Sequence, residues 1–231
     1  MLSIFTVLGF GFLLGLRHAT DADHVVAITT ILGKQGKIRH STLIGILWGI
    51  GHSITVTLVA IPIIFYSLVI PQRLALILEF FVGVMLVALG IFSLRSIPLT
   101  AHNHPHKSKA GTQHSHFHFH FLNSLSNDLH HIGIFQTIRP IAVGLIHGLA
   151  GSAAIALLIL STINNPKLGA LYLFIFHFGV VIGMMITTTL LGASILLIKK
   201  KSEKIHRYLI LSSGILSFIF GLYIMHQTAF V

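Results

Sequence analysis

The sequence predicts an all-α integral membrane protein: six transmembrane helices arranged as a 3+3 inverted repeat, with a broken or tilted first helix. Three observations predict it, namely scarcity of charge, recurrence of long apolar runs and likeness between the two halves. Of the 231 residues, 54% are hydrophobic and 9% are charged. Soluble domains carry about 25% charged residues, so this chain does not face water over most of its surface.

The apolar runs set the helices in order. Ser41–Ile70, Ile141–Ile163, Leu168–Ile198 and Tyr208–Val231 contain no Lys, Arg, Asp or Glu, and Leu74–Leu94 is interrupted only by Glu79. Each exceeds the ~20 residues a helix needs to cross ~30 Å of hydrocarbon. With the N-terminal segment they make six spans. That first segment lacks a basic leading region and a small-residue cleavage pattern, so it reads as a helix and not as a signal peptide. There is no cysteine, which excludes thiolate metal sites and disulfides.

The formal charge of +10 follows orientation. Lys34, Lys37 and Arg39 fall in the first loop; Arg95, Lys107, Lys109 and Arg139 in the third; Lys199, Lys200, Lys201, Lys204 and Arg207 in the fifth. The alternate loops hold only Arg73 and Lys167. This asymmetry obeys the positive-inside rule. It predicts a multi-pass protein of the cell (inner) membrane with both termini outside and the long third loop cytoplasmic. The partner of the net charge is the bilayer, not nucleic acid.

The halves align. "GLRHATDADHVVAI" from Gly15 matches "GLIHGLAGSAAIAL" from Gly144, pairing His18 with His147. "GIGHSITVTL" matches "FIFHFGVVIG", pairing His52 with His177, and Gly83 and Gly90 correspond to Gly214 and Gly221. Three helices per half is an odd number, so the second half is inverted relative to the first. Repeats of this kind build transporters with a midplane site at the repeat interface.

The segment "RHATDADH", Arg17 to His24, sits between apolar stretches and holds two of the five acidic residues. An ionised Asp at membrane depth costs roughly 3 kcal/mol or more without a partner. An Arg17–Asp21 pair would account for two residues and leave His18, Asp23 and His24 unexplained. Imidazole with carboxylate is a ligand set for divalent nickel, cobalt or zinc. On a straight helix His18, Asp21 and His24 share a face and Asp23 points away; local unwinding brings Asp23 and His24 to one ion. As one helix Leu2–Leu32 would be about 46 Å long, well over the bilayer thickness, so a break or steep tilt is expected. The candidate metal residues are His18, Asp21, Asp23, His24 and His52, with Arg17, Ser53, Glu79, His147 and His177 as second-layer or pathway residues. Glu79 also reads as an interfacial acid satisfied by water.

His18 followed by four residues and Asp23-His24 resembles the His-x4-Asp-His signature of the nickel/cobalt permease family. "GHS" at Gly51–Ser53 is similar to that family's second motif. The resemblance implies that His18, Asp23, His24 and His52 lie on the metal pathway and are required for transport. The best-known members have eight transmembrane helices and later acidic motifs without a counterpart here. "GLIHGLAGSAA" looks instead like shorter relatives among metal-permease and urease-accessory membrane proteins.

Three segments follow: residues 1–97 as the first repeat, 98–137 as a cytoplasmic His-rich loop and 138–231 as the second repeat. The loop offers His102, His104, His106, His114, His116, His118 and His120, alternating imidazoles that chelate divalent metals. The expected function is import of nickel or cobalt, driven by membrane potential or ion coupling, with Ni2+ or Co2+ as substrate and no organic cofactor. Metallochaperones for nickel or cobalt enzymes are the candidate protein partners. Two alternatives stand beside it, an efflux permease and an intramembrane metalloenzyme. The latter lacks the His-Glu-x-x-His pattern of a metalloprotease, and the chain is not expected to be an enzyme.

Overall fold

The computed structural model describes residues 4–33, 37–66, 71–95, 106–107, 113–114, 133–149, 154–163 and 165–229. Two short helices, α1 (Ile4–His18) and α2 (Ala22–Leu32), are followed by two long ones, α3 (Ile38–Tyr66) and α4 (Gln72–Arg95). The order then recurs: short α5 (Gly133–His147) and α6 (Ala154–Ser161), long α7 (Pro166–Lys201) and α8 (Glu203–Ala229). Four helices, α3, α4, α7 and α8, are long and apolar enough to cross a membrane. The other apolar stretches are cut into shorter pieces, so four continuous helices stand where the apolar runs predicted six. The departure from all-helix among the described residues is a two-residue pairing, β1 (His106–Lys107) with β2 (Gln113–His114), antiparallel with His106 opposite His114. The remaining loop histidines, His102, His104, His116, His118, His120, His130 and His131, lie outside the described residues.

Local chemistry accounts for the breaks and starts. The chain leaves α1 directly after His18, and Ala19, Thr20 and Asp21 turn it, their N–H groups donating to Gly15, Arg17 and His18 carbonyls. Asp21 is the N-cap of α2 with extended backbone. α5 ends on His147, at the position matched to His18, and reaches back to Gly133 inside the stretch whose composition reads as loop. Arg139 therefore belongs to a helix. α7 starts with Asn165, whose side chain accepts from the Lys167 and Leu168 N–H groups ahead of Pro166 at the first position, a normal start for a helix.

Polarity is distributed as in a membrane protein. Leu58, Phe65, Leu158, Phe174, Leu190 and Leu197 face outward, while His18, His24, His52 and His147 are buried. Between helices, hydroxyls meet backbone oxygens: Ser217 donates to the Leu86 carbonyl at 2.8 Å, and Thr55 donates to Leu145 at 2.8 Å. The second bond satisfies a carbonyl that the end of α5 would otherwise leave unpaired.

Small residues let the helices approach closely. Gly11 faces Tyr172, Gly15 faces Phe176 and Ala19 faces Gly183, so α1 and α7 run in the same direction. Trp48 faces Gly144 and His52 faces Gly148, so α3 and α5 also run together. α3 and α7 are antiparallel, with Ser41 at Gly192, Gly45 at Thr188 and Gly49 at Val181. Along α4 and α8, Gly83 meets Gly221 and Gly90 meets Gly214. Each short first helix thus lies along a long helix of the other half, and α1 and α5 point in opposite directions.

Candidate metal centre

The two helix breaks and the middle of α3 converge. His18 closes α1, Asp21, Asp23 and His24 open α2, His147 closes α5, and His52 is the midpoint of α3. Two groups of metal-ligating atoms result, each within 4.8 Å: His18, His24 and His52, and Asp23, His24 and His147. His24 belongs to both. The ring centroids of His24 and His147 are 4.1 Å apart, those of His18 and His24 4.7 Å, and those of His18 and His52 4.8 Å.

The carboxylates hold the rings. Asp23 accepts from the His24 backbone N–H at 3.0 Å and from His24 Nδ1 at 3.1 Å through one oxygen, and from His147 Nε2 at 3.0 Å through the other. The Asp21 side chain makes no capping bond to its own helix and instead accepts from His18 Nδ1 at 3.0 Å. A carboxylate only accepts, so each of these nitrogens carries the proton and the opposite nitrogen of each neutral ring carries a lone pair. For His24 Nε2 and His147 Nδ1 that lone pair is buried without a hydrogen-bond partner. His18 Nε2 is left as an acceptor for His52 Nε2 at 3.0 Å, which leaves His52 Nδ1 bare, again buried and unpartnered. Unprotonated imidazole nitrogen held by a carboxylate on the far side is what a divalent transition metal requires of its ligands.

The backbone adds to this. The C-termini of α1 and α5, the negative ends of their dipoles, meet at the cluster, and the N-terminus of α2 carries both carboxylates, where negative charge is favoured. Access is unequal: the Asp21 side chain is 35% exposed and that of Asp23 13%, against 4% for His18 and none for His24.

Residues 4–202 match the family described as High-affinity nickel-transport protein. The chain belongs to this family. A protein of Bacillus sp. (strain TB-90) named Urease accessory protein UreH is 36% identical over 227 residues, 97% of this chain and 92% of its own length. A High-affinity nickel transport protein of Cupriavidus necator is 34% identical over 89 residues, 37% of this chain and 25% of that protein. No solved structure matches the chain. Family and apolar helices together make it a multi-pass membrane protein of nickel transport, in keeping with the expectation that it is not an enzyme.

Within this family member the break brings five expected residues, His18, Asp21, Asp23, His24 and His52, into one cluster. Arg17 is exposed, and the partner of Asp21 is His18. His147, placed by the sequence in an outer role, is bonded directly to Asp23. His177 stands apart from both donor groups and pairs with Thr57 at 2.9 Å; the Ser53 hydroxyl is buried without a partner. Glu79 is half-buried on α4 and belongs to neither group. Trp48 was not singled out by the sequence, yet its ring lies 5.5 Å from His147 and 6.2 Å from His24. Being the single tryptophan, one helical turn before His52 on the same helix, was the signal available.

Proposed function

We propose that this protein imports nickel, and cobalt by the same ligands, into the cytoplasm through the cluster at the two helix breaks. The observation that carries the reading is the pair of donor groups sharing His24. In it, His18, His24, His52 and His147 ligate the ion, while Asp21 and Asp23 orient them and balance its charge where the dielectric is low. Family membership supports nickel as the cargo, and cobalt accepts the same imidazole ligands. The name of the Bacillus relative supports a urease-related setting, with metallochaperones for nickel enzymes as partners.

Each pair of short helices, α1 with α2 and α5 with α6, forms one broken span, giving six spans in two inverted halves. The opposite directions of α1 and α5 support this, as do the reciprocal contacts of Gly83 with Gly221 and Gly90 with Gly214. The basic loops then face the cytoplasm and both termini lie outside. A divalent ion moving inward through 100 mV gains about 4.6 kcal/mol, from ~2.3 per charge. At 1.4 kcal/mol per decade this sustains a gradient of about three orders of magnitude, so no nucleotide is required.

The test is radiolabelled nickel and cobalt uptake into cells, and into vesicles of known orientation with an imposed inside-negative potential. The wild-type chain is expected to accumulate metal with the potential and lose accumulation when it is collapsed; His24→Ala is expected to abolish it. Near-normal uptake by His24→Ala at matched expression would overturn the site. Accumulation only in vesicles of the opposite orientation would reverse the direction.

A further inference from the structure

We propose that Trp48 is the inner gate of the metal centre, a plug between the histidine cluster and a hydroxyl-lined seam of α3 and α7 by which the ion leaves. This rests on the reading of the chain as an importer with the α2–α3 loop on the cytoplasmic side.

Trp48 is the largest fully buried side chain among the described residues. It lies on α3 one turn before His52, about 6 Å nearer the α2–α3 loop. Its ring stacks at 28° to His24 and at the same time touches His147. It therefore closes the cluster on that side against rings from both halves.

Its indole Nε1–H is buried with no hydrogen-bond partner. A buried Trp N–H ordinarily finds an acceptor, so the closed rotamer leaves a donor wanting and favours any alternative that supplies one. Just beyond it the chain offers oxygen. Thr188 faces Gly45 and Ser41 faces Gly192 across the α3–α7 seam, and both hydroxyl residues are fully buried. The Ser41 hydroxyl has no partner. The Thr188 hydroxyl donates to the Met184 carbonyl at 2.7 Å and keeps lone pairs for a cation. Above the plug stand nitrogen donors that hold nickel; below it stand neutral oxygens that hold it weakly. That ordering suits release toward the α2–α3 loop.

The chain has no cysteine, so Ser41→Cys places a single thiol below the plug. The full-length protein in sealed vesicles would be treated with a small, cationic, membrane-impermeant thiol reagent from either face. Ser41 is fully buried against Gly192, so labelling from the cytoplasmic face requires the seam to open; the thiol is expected to label slowly with or without Trp48, and failure to label in both overturns the seam. From the outer face it is expected to be protected, with Trp48→Ala raising the rate at least ten-fold and Trp48→Phe, which keeps an aromatic plug, leaving it protected. Ready labelling from outside with Trp48 in place overturns the gate whether or not the Trp48 variants fold. Nickel uptake by the unmodified chain in the same vesicles separates the two readings. Absent uptake removes the import reading, whereas uptake with labelling indifferent to Trp48 removes the gate alone.

Discussion

Asp23 and His147, 124 residues apart in the chain, meet through a hydrogen bond of 3.0 Å, and the other oxygen of the same carboxylate holds His24 at 3.1 Å. One side chain therefore sets the ring orientation and tautomer of an imidazole from each half. Asp23→Asn keeps the shape but replaces one acceptor by a donor, so one of the two rings must turn or change tautomer and lose its bare nitrogen. Outer carboxylates of this kind are worth 10–100-fold in metal affinity. Asp23→Asn is expected to weaken nickel binding, measured by calorimetry on purified protein, by about that factor. Unchanged affinity would mean that Asp23 does not orient the ligands.

His147→Ala tests whether the second half contributes directly. If its Nδ1 is a ligand, uptake should fall as far as in His24→Ala. Combining His147→Ala with Asp23→Asn should then add little, because groups acting through one network are not additive. A His147→Ala protein that takes up nickel at half the wild-type rate or better would return His147 to a packing role.

The legible parts were those written locally. Runs free or nearly free of charge marked the four long helices α3, α4, α7 and α8, and a stretch too long for the bilayer with five polar side chains in its middle marked the break at Ala19–Asp21. That break is why Asp23, which a straight helix would turn away from His18, His24 and Asp21, faces the cluster with them. The role of Asp21 was not legible, because an N-cap residue whose side chain bonds His18 instead of the N–H groups of its own helix is a choice between two local bonds. The pairing of His147 with Asp23 and the seating of Trp48 were hidden for another reason. Both depend on α5 lying along α3, a contact between halves that no single helix encodes.

Deleting His102–His120 should leave nickel transport measurable, since none of the clustered residues lies there and α4 ends at Arg95. What should change is regulation or metal retention, read as uptake against external nickel concentration and as nickel retained after washing. Complete loss of uptake in a deletion that still inserts would place the loop on the conduction path.

The close approach of α1 to α7 gives a prediction on stability with its own control. A Cβ at Gly15 would overlap the Phe176 carbonyl oxygen and lie 2.8 Å from the Val180 nitrogen. Both are backbone atoms that cannot move without shifting the helix. Gly9, less than two turns earlier on the same helix, has nothing within 4 Å of an added Cβ. Gly15→Ala should therefore force the helices apart, at a cost of about 1–3 kcal/mol for overpacking. Because His18 follows within one turn, it should also displace that ring from His52 and reduce uptake. Gly9→Ala should be neutral or slightly stabilising, since alanine is the better helix former by up to ~1 kcal/mol. Thermal unfolding of both variants in detergent, with uptake measured in parallel, checks this. Equal melting temperatures for the two would show that α1 does not pack on α7 through Gly15.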